Sequence, residues 1–184
     1  MVMGGSFCPV RAALRRGATR EVIGGEAGWP NGHGRRRGGA AGGPDDARAV
    51  ADVYLRSRHA SVPAIPPSVH DDDDVRRYFA TVVLPGREVW VLDDGDAAIV
   101  GLLVLADGWI DHLYLDPGWT GHGLGSRVLD LAKERRPSGL DLWAFQSNLG
   151  ARRFYERHGF VAVRMTDGDN EEGAPDVLYR WRLA

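Results

Sequence analysis

The chain is poor in several things, and each shortage removes a class of explanation. Its 184 residues contain one cysteine, Cys8. A disulfide framework and a cysteine-based metal site are therefore excluded, and the cytoplasm is the expected compartment. No apolar run approaches the roughly 18 residues that a membrane-spanning helix needs. The six histidines show no paired ligand spacing, so no metal is expected. Lysine is nearly absent: Lys133 is the single one among 23 basic residues. In particular no lysine follows the glycines of Gly121–Gly125, which removes the phosphate-loop pattern G-x-x-x-x-G-K-[ST].

The net charge of -2 conceals an asymmetry. Residues 1–43 carry seven Arg against two Glu, whereas the remainder carries 16 basic and 23 acidic residues. The same 43 residues hold 12 of the 25 glycines and have no sustained helical or strand period. Stretches such as GHGRRRGGAAGG cannot bury enough apolar surface to offset the entropy of ordering, and they read as a flexible tail or a gene-model extension. Nucleic-acid binding by this basic stretch is not the expected role. The folded domain is expected over residues 44–184.

Within that domain, PDDARAVADVYLRSRH reads as a helix with Ala47, Val50, Ala51, Tyr54 and Leu55 on its apolar side. HDDDDVRRYFATVVL reads as a second helix. REVWVLDD and AAIVGLLVLAD read as strands around an Asp-Gly turn. WIDHLYL is the next strand, followed by a glycine loop and the helix GLGSRVLDLAKERR. LDLWAFQ, FVAVRMT and DVLYRWRLA read as further strands, with NLGARRFYERHG a helix between the first two. Helices mixed with hairpins and one strand–helix–strand unit imply an α/β or α+β class with a mixed sheet.

The glycine loop raises a functional question. A helix start carries unpaired N–H groups and partial positive charge, and glycines before it let a ligand approach the backbone. Phosphate is the natural anion for such a cradle. GHGLGS also approximates a dinucleotide fingerprint, with Asp141 as its acid, but five residues separate the strand from the first glycine.

IDHLYLDPGWTGHGLGS resembles the acetyl-CoA motif of the GNAT acyltransferase superfamily. Leu113 and Leu115 match its strand pair, Pro117 its proline, and Gly123 and Gly125 its glycines. Thr120 stands where the family has Arg or Gln. NLGARRFYERHGF is similar to a second family segment at Asn148, Ala151, Tyr155, Glu156, Gly159 and Phe160. The resemblance implies a seven-stranded sheet of order 1-2-3-4-5-7-6 with about four helices. Strands 4 and 5 would splay into a V that takes the acetyl-pantetheine arm. The family's first strand would precede Pro44, where RRRGGAAGG has no β-branched residue, so a weak or missing edge strand is expected.

Transferred residue by residue, the resemblance makes acetyl-CoA the co-substrate. Backbone of Leu113, Tyr114 and Leu115 would serve the thioester carbonyl. Thr120, Gly121, His122, Gly123, Leu124, Gly125 and Ser126 would surround the phosphates, and Asn148 would cap a helix near the pantetheine. Tyr155 would give its proton to the departing thiolate. The general base is open between Asp111, His112 and a water chain, because adjacent strand residues point to opposite faces unless a bulge intervenes. The acceptor would be a small-molecule or peptide amine. Acidic stretches at Asp71–Asp74 and at 166–176 would favour a cationic one, and a homodimer is compatible with this reading. The alternatives are a non-catalytic acyl-CoA-binding module and a dinucleotide-binding oxidoreductase.

Overall fold

Four strands in the middle of the chain are apolar almost throughout, the pattern of strands covered on both faces. In a computed structural model, which describes residues 20–22, 44–94 and 98–183, they are β2 (Glu88–Asp93), β3 (Ile99–Ala106), β4 (Trp109–Leu115) and β5 (Leu140–Phe145). β6 (Val161–Thr166) and β7 (Asp176–Trp181) complete the C-terminal end. The Asp-Gly turn expected between β2 and β3 falls largely outside the described residues.

The sheet has seven strands in the order β1-β2-β3-β4-β5-β7-β6, as the resemblance implies. One expectation needs correction. The first strand is not the glycine-rich run before Pro44; it is β1 (Arg20–Val22), which pairs parallel to β2. Arg-Glu-Val is a short edge strand of three residues, too brief to leave a periodic signal. The rest of residues 1–43, with Cys8, lies outside the described residues.

α1 (Pro44–His59) buries Ala47, Val50, Ala51, Tyr54 and Leu55, the stripe its spacing predicts. α2 (Asp72–Tyr78) starts from Asp71, whose Oδ1 accepts from Asp74 N at 2.8 Å. The expected second helix is not uniform. It widens into a π-helical stretch, Phe79–Val83, and ends in the turn α3 (Leu84–Gly86). The wide stretch falls in the turn preceding Pro85, whose ring clashes with the carbonyl four residues back in a regular α-helix. α4 (Leu124–Arg135) and α5 (Leu149–Arg157) follow β4 and β5. Counting α2 and α3 as one rod, the helical bodies among the described residues are four.

Two buried clusters lie on opposite faces of the sheet. α4 and α5 cover one, around Leu103, Leu113, Val128 and Phe154. α1 and α2 cover the other, around Val53, Phe79, Leu102 and Tyr114. Between β4 and β5 a single residue pair is in register, Trp109↔Asp141, with Asp141 N donating to Gly108 O at 2.8 Å. Beyond that point the two strands part, and the sheet opens into a V.

Candidate active site

The closed end of the V is held by charge. Asp141 takes Arg180 at 2.6 Å and Arg182 at 2.9 Å. Its carboxylate is thereby occupied, and the dinucleotide reading loses the acid it would need for a ribose.

At the open end of β4 the chain enters the glycine loop. Asp116 Oδ1 accepts from Gly118 N at 3.3 Å, and a 3-10 turn covers Pro117–Trp119. Gly121 and Gly123 have φ of 83° and 78°, which side-chain-bearing residues rarely adopt. Gly123 is the N-cap of α4 and brings no capping side chain. Arg127 N makes the first helical bond, to Gly123 O at 3.3 Å. The N–H groups of Leu124, Gly125 and Ser126 therefore have no helical acceptor. A Cβ built at Gly121 or Gly123 meets no atom within 4 Å, so the backbone stands open to a ligand. This is the chemistry of an anion cradle, and it fits a phosphate. Thr120 does not aim into it: its hydroxyl donates to Pro117 O at 3.0 Å. His122 is exposed within the loop.

β4 supplies the next part of the site. Asp116 N donates to Val100 O at 2.8 Å, on the β3 side. By antiparallel alternation Tyr114 also bonds towards β3, while Leu113 and Leu115 turn their N–H and C=O groups towards the gap. Leu115 O is covered, since buried Ser57 donates to it at 2.7 Å. The N–H groups of Leu113 and Leu115 thus face the V.

α5 forms the far wall. Asn148 is its N-cap, with Oδ1 accepting from Ala151 N at 3.1 Å. Tyr155, two turns along, is buried among Phe154, Phe160 and Tyr179. Burial raises its phenol pKa, so the hydroxyl keeps its proton. Burial pushes the Tyr114 phenol up to about 12, with the Arg58 guanidinium opposing and Tyr155 adding a smaller upward effect. His158 joins the walls: Nε2 lies 2.9 Å from Ser126 Oγ and Nδ1 2.8 Å from Phe154 O. No motif in the sequence singles it out.

The opposite face carries the two base candidates. Register shifts between Val104↔His112 and Leu105↔Ile110, which leaves Asp111 as an extra residue. This bulge sends Asp111 and His112 towards the same α1–α2 face. They are nonetheless differently engaged. Asp111 Oδ2 accepts from Arg87 Nε at 2.8 Å, and its pKa is raised by burial with Arg87 opposing. His112 sits between Tyr54, Phe79 and Tyr114. Burial, then the charges of Arg58 and Arg87, push its pKa down to about 3, so the ring is neutral and weakly basic.

Two further residues of this face escape sequence reasoning. Arg58 and Glu172 form an ion pair at 2.9 Å with both side chains almost fully buried. It ties the loop before β7 to α1, and His70–Glu171 at 3.1 Å adds a second tie. Nothing local marks Arg58 among the arginines of α1; its burial comes from a contact 114 positions away. The acids expected to attract a cation are largely spoken for. Asp71 caps α2, Asp73 pairs with Arg76 at 2.9 Å, and Asp74 pairs with Arg77 at 2.7 Å.

Among the described residues no three His, Cys, Asp or Glu side chains gather as a metal site, and no helix is long and apolar enough to cross a membrane.

Comparison with known proteins agrees with this geometry. Residues 85–162 match the family model of the acetyltransferase (GNAT) domain. A mycothiol acetyltransferase of Beutenbergia cavernae is 36% identical over 85 residues, which are 41% of this chain and 29% of that protein. The chain thus matches well under half the length of that relative. An acetyltransferase from Thermus thermophilus shares the fold at a TM-score of 0.62 and 23% identity, over 78% of this chain and 95% of that one. The PaiA N-acetyltransferase of Thermoplasma acidophilum, solved in complex with coenzyme A, shares it at 0.59 and 18% identity, over 78% and 97%. The matched residues span the glycine loop, the parted strands and α5, so this part of the chain is similar to the GNAT acetyltransferase domain.

Proposed function

We propose that the protein is an acetyl-CoA-dependent N-acetyltransferase that moves an acetyl group directly to a primary amine within a ternary complex. The observation that carries this reading is the parting of β4 and β5 after one residue pair, directly beside an open helix N-terminus.

Acetyl-CoA would supply an activated acyl carbon and a thiolate leaving group. The N–H groups of Leu124, Gly125 and Ser126 would hold its phosphates. Leu113 and Leu115 N–H groups would polarise the carbonyl, in a place fixed before the reaction starts. Tyr155 holds its proton in a buried site and would release it to the thiolate. Asp111, engaged by Arg87, and His112, weakly basic, are both poor general bases. The amine would therefore lose its proton through water or arrive neutral.

Thermal melting of the full chain with and without acetyl-CoA tests the reading. Ligand at a hundred times its dissociation constant stabilises by about 2.7 kcal/mol, a shift of several degrees. Release of CoA on addition of amines is the second expected result. A cooperative melt that acetyl-CoA does not move would sink the proposal.

A further inference from the structure

His158 ties together the two helices that follow the parted strands. It is the C-cap of α5, and its half-buried ring packs on Phe154 with 4.3 Å between ring centres. Nδ1 stands 2.8 Å from Phe154 O, and Nε2 stands 2.9 Å from Ser126 Oγ in the first turn of α4. The N–H of Ser126 is one of the three donors left open at that helix start. The side chain that His158 holds therefore belongs to a residue of the cradle.

The first contact fixes the roles in the second. A carbonyl oxygen only accepts, so Nδ1 carries a proton. In the neutral ring Nε2 then has a lone pair, and the Ser126 hydroxyl donates to it. The hydroxyl proton is spent, and only oxygen lone pairs remain to face an anion. A second proton on the ring reverses this bond. Nε2–H then donates to Ser126 Oγ, and the hydroxyl proton is free for a phosphate oxygen, in a charge-assisted bond. The charge itself is well placed, since a helix C-terminus such as that of α5 favours a cation.

Other charges reach this seam from α4, α5 and the glycine loop. Helical spacing puts Asp130 and Lys133 on the Ser126 side of α4, with Arg127 next to Ser126 in the chain. Asp130 is exposed. Lys133 Nζ donates to His158 O at 2.6 Å and lies over the Trp181 ring at 5.1 Å. On α5, Glu156 accepts from the Tyr179 hydroxyl at 2.6 Å, and Arg157 is exposed. The loop brings a second imidazole, His122, also exposed.

We propose that His158 is a positioning residue of the phosphate cradle: its imidazolium form turns the Ser126 hydroxyl proton towards the co-substrate. Binding then takes up a proton from water onto the ring. By linkage, affinity rises as pH falls through the range where histidine titrates. The proposal rests on the acetyl-CoA reading above.

Calorimetric binding of dephospho-CoA to the full chain tests it. This ligand lacks the phosphate monoester of CoA, whose own proton equilibrium near about pH 6 would overlap. Affinity should be about threefold to tenfold higher at about pH 6 than at about pH 8. His158→Gln should flatten this dependence, whereas His122→Gln should keep it. In the parent chain at about pH 7, the NMR signals of the His158 ring should move towards their imidazolium positions when dephospho-CoA binds. That reading needs no variant, so it decides even where His158→Gln does not fold. Equal affinity at both pH values, a dependence that survives His158→Gln, or ring signals that the ligand leaves in place overturns the role of His158. The ring is then a strut between α4 and α5, and because the ligand still binds, the acetyl-CoA reading stands. Absence of binding by both dephospho-CoA and acetyl-CoA at either pH overturns that reading, and the proposal with it.

Discussion

On one side of the open sheet, the glycine loop and α5 present backbone N–H groups, a cap and one phenol. On the other, α1, the bulge of β4 and the loop before β7 present side chains held by contacts far apart in sequence. The first wall is built from two short contiguous segments. The second needs Arg58 to meet Glu172 and Asp111 to meet Arg87. A wall made of backbone suits a co-substrate whose shape does not change. A wall made of side chains suits an acceptor that differs from one protein to the next, because a single substitution alters it.

Tyr155→Phe bears on this contrast with the largest expected effect. On the proposed mechanism the phenol is the one side chain of the co-substrate wall that takes part in chemistry. Its removal should lower kcat by about 100- to 1000-fold, while acetyl-CoA still raises the melting temperature. Steady-state kinetics and melting are read together. A kcat within a few-fold of the parent would mean that Tyr155 is only a packing residue, and that the first wall binds without contributing a proton.

The same contrast sets what could be read from the sequence. The individual strands and helices follow from patterning, whereas the strand order, the four helical bodies and the splayed strands are what the resemblance of two contiguous motifs implies. Asn148 as a cap and Tyr155 two turns later are likewise local facts of a helix. What was illegible depends on distance. β1 carries three residues and no period. The π-helical stretch is a response to Pro85 inside a run that otherwise reads as helix. The bulge at Asp111 reverses which face that residue uses, and a shift of one position in a strand leaves no trace in hydrophobicity. The acids at Asp71–Asp74 look like a field for cations until their arginine partners are placed.

A second prediction probes the acceptor wall through pH. His112 has a pKa of about 3 in the folded chain, against an ordinary value of 6.5 when unfolded. Between these values the unfolded state binds the proton and the folded state does not, so stability falls as pH falls. Well above pH 6.5 the residue contributes no slope. The loss due to His112 should reach about 2 kcal/mol between about pH 7 and about pH 5. His112→Phe keeps an aromatic ring against Tyr54 and Phe79 and removes the titration. Denaturant melts at the two pH values should show a smaller acid loss in the variant than in the parent. Equal losses would mean that water reaches His112 and the ring titrates freely.

The smallest expected effect sharpens the contrast from the other side. Thr120 is where this chain departs from the family's Arg or Gln, and its hydroxyl is spent on Pro117 O within the loop. The cradle therefore relies on backbone donors alone at that position. Thr120→Arg gives up one exposed hydrogen bond and adds a charged donor beside the phosphates. Charge-assisted bonds are about twice as strong as neutral ones, and a partly exposed site is screened by salt. Acetyl-CoA should bind a few-fold tighter, with the gain shrinking as salt is raised. An unchanged affinity at low salt would place the phosphates out of reach of position 120. In that case the departure at Thr120 has no cost, and the co-substrate wall is complete in backbone at that position.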